Sequence, residues 1–279
     1  MKQDRSPGED VKRRDFLASL LMATGALLAD PRLLMGQRAP ASGGAAASTL
    51  IEDLVAANRI LAREAIVDGF GHVSARHDRD PNRYLLSRSL APALVTSDDL
   101  IEYDLNSNPI NPKARAPYSE RFIHGEIYKA RPDVRAVVHC HTSSLIPFGT
   151  SAVALRPVYH LAAFIGDGVP VFDIRDTVGI TDMLVSDSNR GRALAKTLGP
   201  RPVALMRGHG AVVVGSSLPI AVGRSIYLDI NARLQAAAAA LGGPIKYLDP
   251  QEARKVIEAG ENGGYQRPWE LWKQQASAR

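Results

Sequence analysis

The sequence predicts an α/β fold in which helices cover a partly antiparallel sheet. Three observations lead there. An apolar fraction of 45% with 23% charged residues is that of an ordinary globular chain, and no internal repeat is evident. Short alternating strands leave glycine or polar turns, as in Gly69-Phe-Gly71-His72-Val73-Ser74 and Val203-Ala-Leu-Met206-Arg207-Gly208-His209-Gly210. Helical and strand periods mix without strict strand–helix–strand alternation, which argues against a purely parallel sheet.

The elements follow in order. Residues 50–66 carry apolar positions at helical spacing, with Ser48 or Thr49 as the expected cap and Gly69 as the stop. Strands are expected at Gly71–His77, Arg83–Ser87 and Leu100–Leu105, and a proline-rich loop at Asn106–Pro117. Tyr118–Ala130 reads as a helix capped by Ser119, with Phe122, Ile123 and Ile127 on its apolar stripe, stopped by Arg131-Pro132-Asp133. The apolar run from Val134 ends in His139-Cys140-His141. Ser143–Phe148 starts another helix, Thr181–Leu198 reads as amphipathic helix, and Pro219–Leu241 as a long alanine-rich one. A short helix is expected at Pro250–Ala259, then a polar, aromatic tail with Tyr265, Trp269 and Trp272.

On a strand, residues two apart share a face, so His139 and His141 present two imidazoles together and Cys140 points away. Paired neutral imidazoles suit a divalent metal. Glu120 opens the helix that precedes this strand, and antiparallel packing brings it to the strand's far end. His209, between two glycines, is a third histidine free to project from a tight turn. Three histidines with an open position and a nearby carboxylate form a catalytic metal geometry. Cys140, the one cysteine, reads as a small buried hydrophobe and excludes an internal disulfide. His124 and His160 read as core or supporting residues, and His77 as exposed.

Net charge is +5, and the first forty residues hold seven basic against five acidic side chains, leaving +3 for the remainder. That is too mild for nucleic acid but suits a small anionic substrate. Lys12-Arg13-Arg14-Asp15-Phe16-Leu17 resembles the twin-arginine export motif, and the apolar run Phe16–Ala29 is too short to span a bilayer comfortably. Residues 1–41 are therefore expected to be a signal peptide with the start of a linker, 42–49 a flexible linker, and 50–279 the catalytic domain. Ala39-Pro40-Ala41 and Ala45-Ala46-Ala47 both fit a cleavage site. The expected location is the periplasm, with no membrane association after signal removal; an uncleaved anchor is the alternative.

Gly71-x-Val73-Ser74, Ser119-Glu120, Arg131-Pro132-Asp133 through His139-x-His141, and Gly208-His209-Gly210 together resemble the class II aldolase/adducin family over residues 50 to 245. The resemblance implies a three-layer α/β/α fold with a central mixed, largely antiparallel sheet, and a homotetramer. It implies a divalent metal on His139, His141 and His209, zinc before manganese or another ion. Glu120 is the implied acid/base and an optional ligand. Sugar-phosphate aldolases of the family carry Gly-Asn where this chain has Gly71-His72, and a serine-rich phosphate cradle where it has Ser87-Arg88-Ser89 and Tyr118-Ser119. The variant elements are similar to metal-dependent decarboxylases of hydroxylated aromatic or ring-opened acids. The expectation is a carbon–carbon lyase, decarboxylating a hydroxylated aromatic or hydroxy/oxo acid through a metal-held enolate. His72, Ser74, Arg76, Ser87 and Arg88 are the expected substrate-binding residues. An aldolase or epimerase on a hydroxy-keto substrate is the alternative. A metal-free, adducin-like binding protein is disfavoured by the retained histidines and Glu120.

Overall fold

The computed structural model describes residues 41–110, 112–260 and 265–277. The twin-arginine motif and the apolar run after it lie outside these residues. Everything below concerns the described residues, which belong to one compact unit.

Eight strands form one sheet: β1 (His72–Arg76), β2 (Arg83–Ser87), β3 (Leu100–Asp104), β4 (Pro109–Ile110), β5 (Ala136–Cys140), β6 (Val171–Phe172), β7 (Val203–Met206) and β8 (Gly210–Gly215). Their order is β4-β3-β2-β1-β5-β8-β7-β6. Only the β6–β7 pair is parallel. The sheet is thus mixed and largely antiparallel.

Alternation along the strands sorts side chains into two cores. Val73, Ala75, Ala136, Val138, Cys140, Ala211 and Val213 face one core. Covering it are α1 (Ser48–Arg63), through Leu54, Ala57, Ile60 and Leu61, and α6 (Leu218–Ala240). The C-terminal α8 (Gln266–Ser277) adds Trp269 and Trp272, so the expected polar tail is an anchored helix. The opposite face buries Tyr84, Leu86, Val137, Ala204, Val212 and Val214 under α2 (Arg121–Ala130) and α5 (Ser188–Leu198), which contribute Ile123, Ile127, Leu194 and Leu198. Each such buried aliphatic side chain contributes about 1.5–3 kcal/mol. Three short helices complete the fold: α3 (Ile146–Thr150), α4 (Arg175–Val178) and α7 (Pro250–Glu258).

Several boundaries differ from expectation for local reasons. Helix α1 is capped by Ala47 without a side-chain bond and ends at Glu64, where Ala65 takes φ 56°. Helix α5 begins at Ser188, not Thr181, because the Asp187 carboxylate accepts the Arg190 N–H at 2.9 Å and fixes the first turn there. Residues 179–187 are left irregular, with consequences for the site. Residues 41–47, expected as flexible linker, are tied to the sheet edge. Gly43 N–H donates to Glu102 Oε1 at 2.6 Å, and Arg83 donates to the Ala41 carbonyl at 2.6 Å. His77, expected to be exposed, is buried with its Nε2 3.1 Å from the Gly44 carbonyl oxygen. His160, expected in a core or supporting role, is exposed.

Candidate active site

The site lies at the end of the sheet where β1, β5 and β8 meet. His72 of β1 pairs in register with His139 of β5, on the face opposite Cys140. His141 follows just past the strand end, and Cys140 is sealed in the core, where burial raises its thiol pKa. Gly210 makes the closure possible. Its φ is 149°, and a Cβ there would stand 1.9 Å from the Cys140 carbonyl oxygen, so any larger residue would push the Gly-His-Gly turn off β5. Gly71, at φ 86°, likewise lets β1 pass against Val67 and the His139 carbonyl. Glu120, rather than Ser119, occupies the cap position of α2, and its side chain makes no cap bond; it turns to the histidines instead.

His139, His141, His209 and Glu120 bring one donor atom each to within 4.8 Å of one another. His139 Nε2 and His209 Nε2 lie 3.0 and 3.1 Å from His141 Nε2. Glu120 Oε2 is 3.4 Å from His139 Nε2 and 3.5 Å from His209 Nε2.

The proton positions test whether this set fits a cation. His139 Nδ1 faces the Ala211 carbonyl at 3.1 Å, and His209 Nδ1 faces the Met183 carbonyl at 3.0 Å. A carbonyl only accepts, so both protons sit on Nδ1 and both Nε2 atoms are bare lone pairs. Two lone pairs and a carboxylate oxygen therefore converge with at most one proton, from His141, to share. Positive charge between them resolves the conflict. Two nitrogens 2.0–2.1 Å from one tetrahedral ion stand about 3.3 Å apart, close to the spacing seen. The residues fit a divalent metal, and the carbonyls of Ala211 and Met183 fix the ring orientations.

Electrostatics agree. Burial pushes the Glu120 carboxyl up, but its close contacts with His139 and His209 outweigh burial and hold the group well below the usual carboxylate range. A cation at the same place acts in the same sense. Burial, with His139 and His209 adding, lowers His141 to about 4, so this ring is neutral and able to ligate near pH 7.

Beside the cluster opens a cavity of about 390 Å³, walled by Phe70, His72, Leu90, Tyr118, His141 and Leu184, with Glu120 at its inner end. Among the described residues no lysine or arginine lines it. Of the expected substrate contacts, only His72 is there. Arg76 is corrected: its guanidinium donates to the carbonyls of Val134 (2.9 Å), Pro81, Tyr128 (2.7 Å) and Arg131 (3.0 Å), tying the far end of β1 to α2. Ser74 is buried behind His72, within 2.6 Å of His124 Nδ1 and 2.8 Å of the Tyr128 hydroxyl. Arg88 donates to Asp99 Oδ1 at 2.6 Å and is absent from the wall. Ser87 is buried, and among the described residues its hydroxyl donates to the Tyr118 hydroxyl at 3.5 Å.

Sequence reasoning missed the segment 179–187. Val185 N–H donates to Glu120 Oε1 at 2.9 Å, and the Met183 carbonyl holds His209. An expected helix hid it; the cap-forming Ser186-Asp187 pair ahead of α5 was the available signal.

Comparison with known proteins gives the following. The Class II Aldolase and Adducin N-terminal domain matches residues 52–236. Decarboxylase tropJ of Talaromyces stipitatus is 37% identical over 249 residues, covering 81% of this chain and 93% of the relative. A 3,4-dihydroxyphthalate decarboxylase of Terrabacter sp. is 35% identical over 236 residues, covering 78% and 92%. In structure, L-fuculose 1-phosphate aldolase of Glaciozyma antarctica superposes with a TM-score of 0.68 at 24% identity, covering 82% of this chain and 88% of that one.

Proposed function

Since the chain belongs to the class II aldolase and adducin family and is a lyase, we propose that it decarboxylates a hydroxylated aromatic acid, or a related hydroxy/oxo acid, with zinc at the histidine cluster. The observation that carries this reading is the wall of the cavity. It opens on the metal-ligand set and sets Phe70, Leu90, Tyr118 and Leu184 beside it; Ser89 and Ser119 also line it, and among the described residues no lysine or arginine does. Two relatives named as decarboxylases, each above 30% identity over most of both chains, support it.

A divalent cation on His139, His141 and His209 supplies the positive charge that draws electron density away from the bond to be broken. The protein's own groups do the rest. Phe70, Tyr118 and Leu184 line the cavity with apolar surface against which a ring can pack. Glu120, ionised at rest, takes the substrate hydroxyl proton on Oε2. When the carbon–carbon bond breaks and CO2 leaves, the bonding pair stays on carbon, and Glu120 returns the proton there. Val185 N–H keeps Oε1 occupied, so that Oε2 is the oxygen that works.

The test is incubation of zinc-loaded protein with hydroxylated benzoates and phthalates, 3,4-dihydroxyphthalate first. Stoichiometric CO2 with no carbonyl fragment is expected. Release of an aldehyde from a hydroxy-keto substrate would instead establish an aldolase. We further read residues 1–41 as a twin-arginine leader, the mature enzyme as periplasmic, and the assembly as a homotetramer. Replacing Arg13 and Arg14 by lysine should block export, and sedimentation should give four chains per particle.

A further inference from the structure

His72 is 3% exposed and lines the cavity, yet among the described residues no protein group hydrogen-bonds its Nε2. Its other nitrogen ends a buried chain. His72 Nδ1 lies 2.7 Å from His124 Nε2, His124 Nδ1 lies 2.6 Å from Ser74 Oγ, and Ser74 Oγ lies 2.8 Å from the Tyr128 hydroxyl. All four side chains are buried, and none belongs to the metal-ligand set. We propose that the chain Tyr128–Ser74–His124 fixes His72 with its proton on Nε2, so that this nitrogen donates a hydrogen bond to an anionic oxygen of the substrate.

The direction of the chain follows from one end. Among the described residues, Ser74 Oγ is the only acceptor within reach of the Tyr128 hydroxyl. A buried hydroxyl proton without an acceptor costs about 1–3 kcal/mol, so Tyr128 donates to Ser74. Ser74 then donates its own proton to His124 Nδ1. His124 must carry its proton on Nε2 and donates it to His72 Nδ1. The proton of His72 is left on Nε2, facing the cavity. Run the other way, the chain leaves the Tyr128 proton stranded. Burial, with His139 adding, lowers His124 to about 3, so this ring is neutral.

The position suits the role. His72 is paired with His139 and packs against it with ring centroids 5.1 Å apart, and against Tyr118 at 4.5 Å. A substrate oxygen beside the metal-ligand set meets a fixed, uncharged donor. His72 is the group that touches substrate; His124, Ser74 and Tyr128 are positioning residues. The identity of the oxygen, a carboxylate or phenolate, rests on the reaction proposed above; the tautomer does not.

The experiment is two-bond proton–nitrogen correlation on zinc-loaded, full-length protein labelled with 15N-histidine, with the His72 signals assigned by their loss in His72→Phe. The pattern of an Nε2–H imidazole is expected, and that of Nδ1–H would overturn the proposal. Ser74→Ala should move the two His72 nitrogens toward averaged shifts; unchanged shifts would remove the chain from its positioning role. Calorimetry with 2,3-dihydroxybenzoate provides the functional arm. His72→Phe should bind about 10-fold more weakly or worse, with zinc content unchanged, and His72→Gln, which keeps an N–H donor, should recover part of the loss. Equal affinity in all three proteins would overturn the contact. If wild-type protein ignores this acid, the aromatic-acid reading fails while the tautomer measurement still decides the proposal.

Discussion

The two ends of β1 carry polar side chains on the same face, four residues apart, and do opposite things. At one end Arg76 is buried with its guanidinium on four main-chain carbonyls. At the other, His72 keeps a nitrogen without a protein partner, next to three imidazoles and a carboxylate that face one another. A polar group whose bonds are all made within the chain holds structure. Groups that converge with bonds unmade wait for something else. Residue type does not separate the two cases, since arginine is the commoner anion binder; only the bond inventory does.

The comparison can be broken at either end. His139→Ala removes a lone pair from the converging set, and should abolish stoichiometric zinc and lower turnover by more than about 100-fold, beyond the range for a residue that merely supports a ligand. Metal analysis beside a rate assay checks it; full activity would sink the site. Arg76→Met leaves four carbonyls unpaired, and should lower unfolding free energy by about 3 kcal/mol while turnover per folded molecule stays the same. Chemical denaturation and active-site titration separate the two; a lost rate with stability intact would return Arg76 to the substrate. Val185→Pro deletes the N–H on Glu120 Oε1, and should cost about 10–100-fold in rate, with Val185→Ala as the packing control.

The smallest effect is in the pH dependence of stability. His124 is lowered to about 3 in the folded protein by burial, then by His139, against an ordinary value of 6.5. Below pH 6.5 the unfolded chain binds a proton that the folded chain refuses. Stability is therefore complete above that pH and falls on acidification, by about 1.4 kcal/mol per pH unit for this ring, until about pH 3. His72 is shifted the same way. Denaturant midpoints at pH 7.5 and 5.5 measure the slope, and His124→Gln should flatten it by about one proton; an unchanged slope would show that His124 is charged in the native state.

Much of this was legible in the sequence, for identifiable reasons. His139 and His141 announce themselves by strand spacing, His209 by its flanking glycines, and Glu120 by its place ahead of α2. Each signal is local, and the sheet only had to bring them together. Ser74 and Arg76 share the face of His72 by the same period-two rule, but the rule cannot say where the cavity stops. That depends on α2 crossing beneath β1 and presenting Tyr128 and its carbonyl. Segment 179–187 was hidden because its apolar residues mimic a helix, while its structure is set by contacts to Glu120 and His209 far away in the chain. Such contacts are long-range and leave no periodic trace.

The hydrogen-bonded edge at residues 41–47 has a bearing on maturation. A processing peptidase needs an extended backbone that it can pull into its own cleft. Ala45-Ala46-Ala47 does not offer one after folding: Ala46 packs on the core, and the Ala47 carbonyl accepts the first N–H groups of α1. A cut after Ala41 gives up the two bonds that Arg83 makes to the Ala41 carbonyl and leaves Gly43 on Glu102. If residues 1–41 are a leader removed after folding, as proposed above, N-terminal sequencing of exported protein is expected to read Ser42 first.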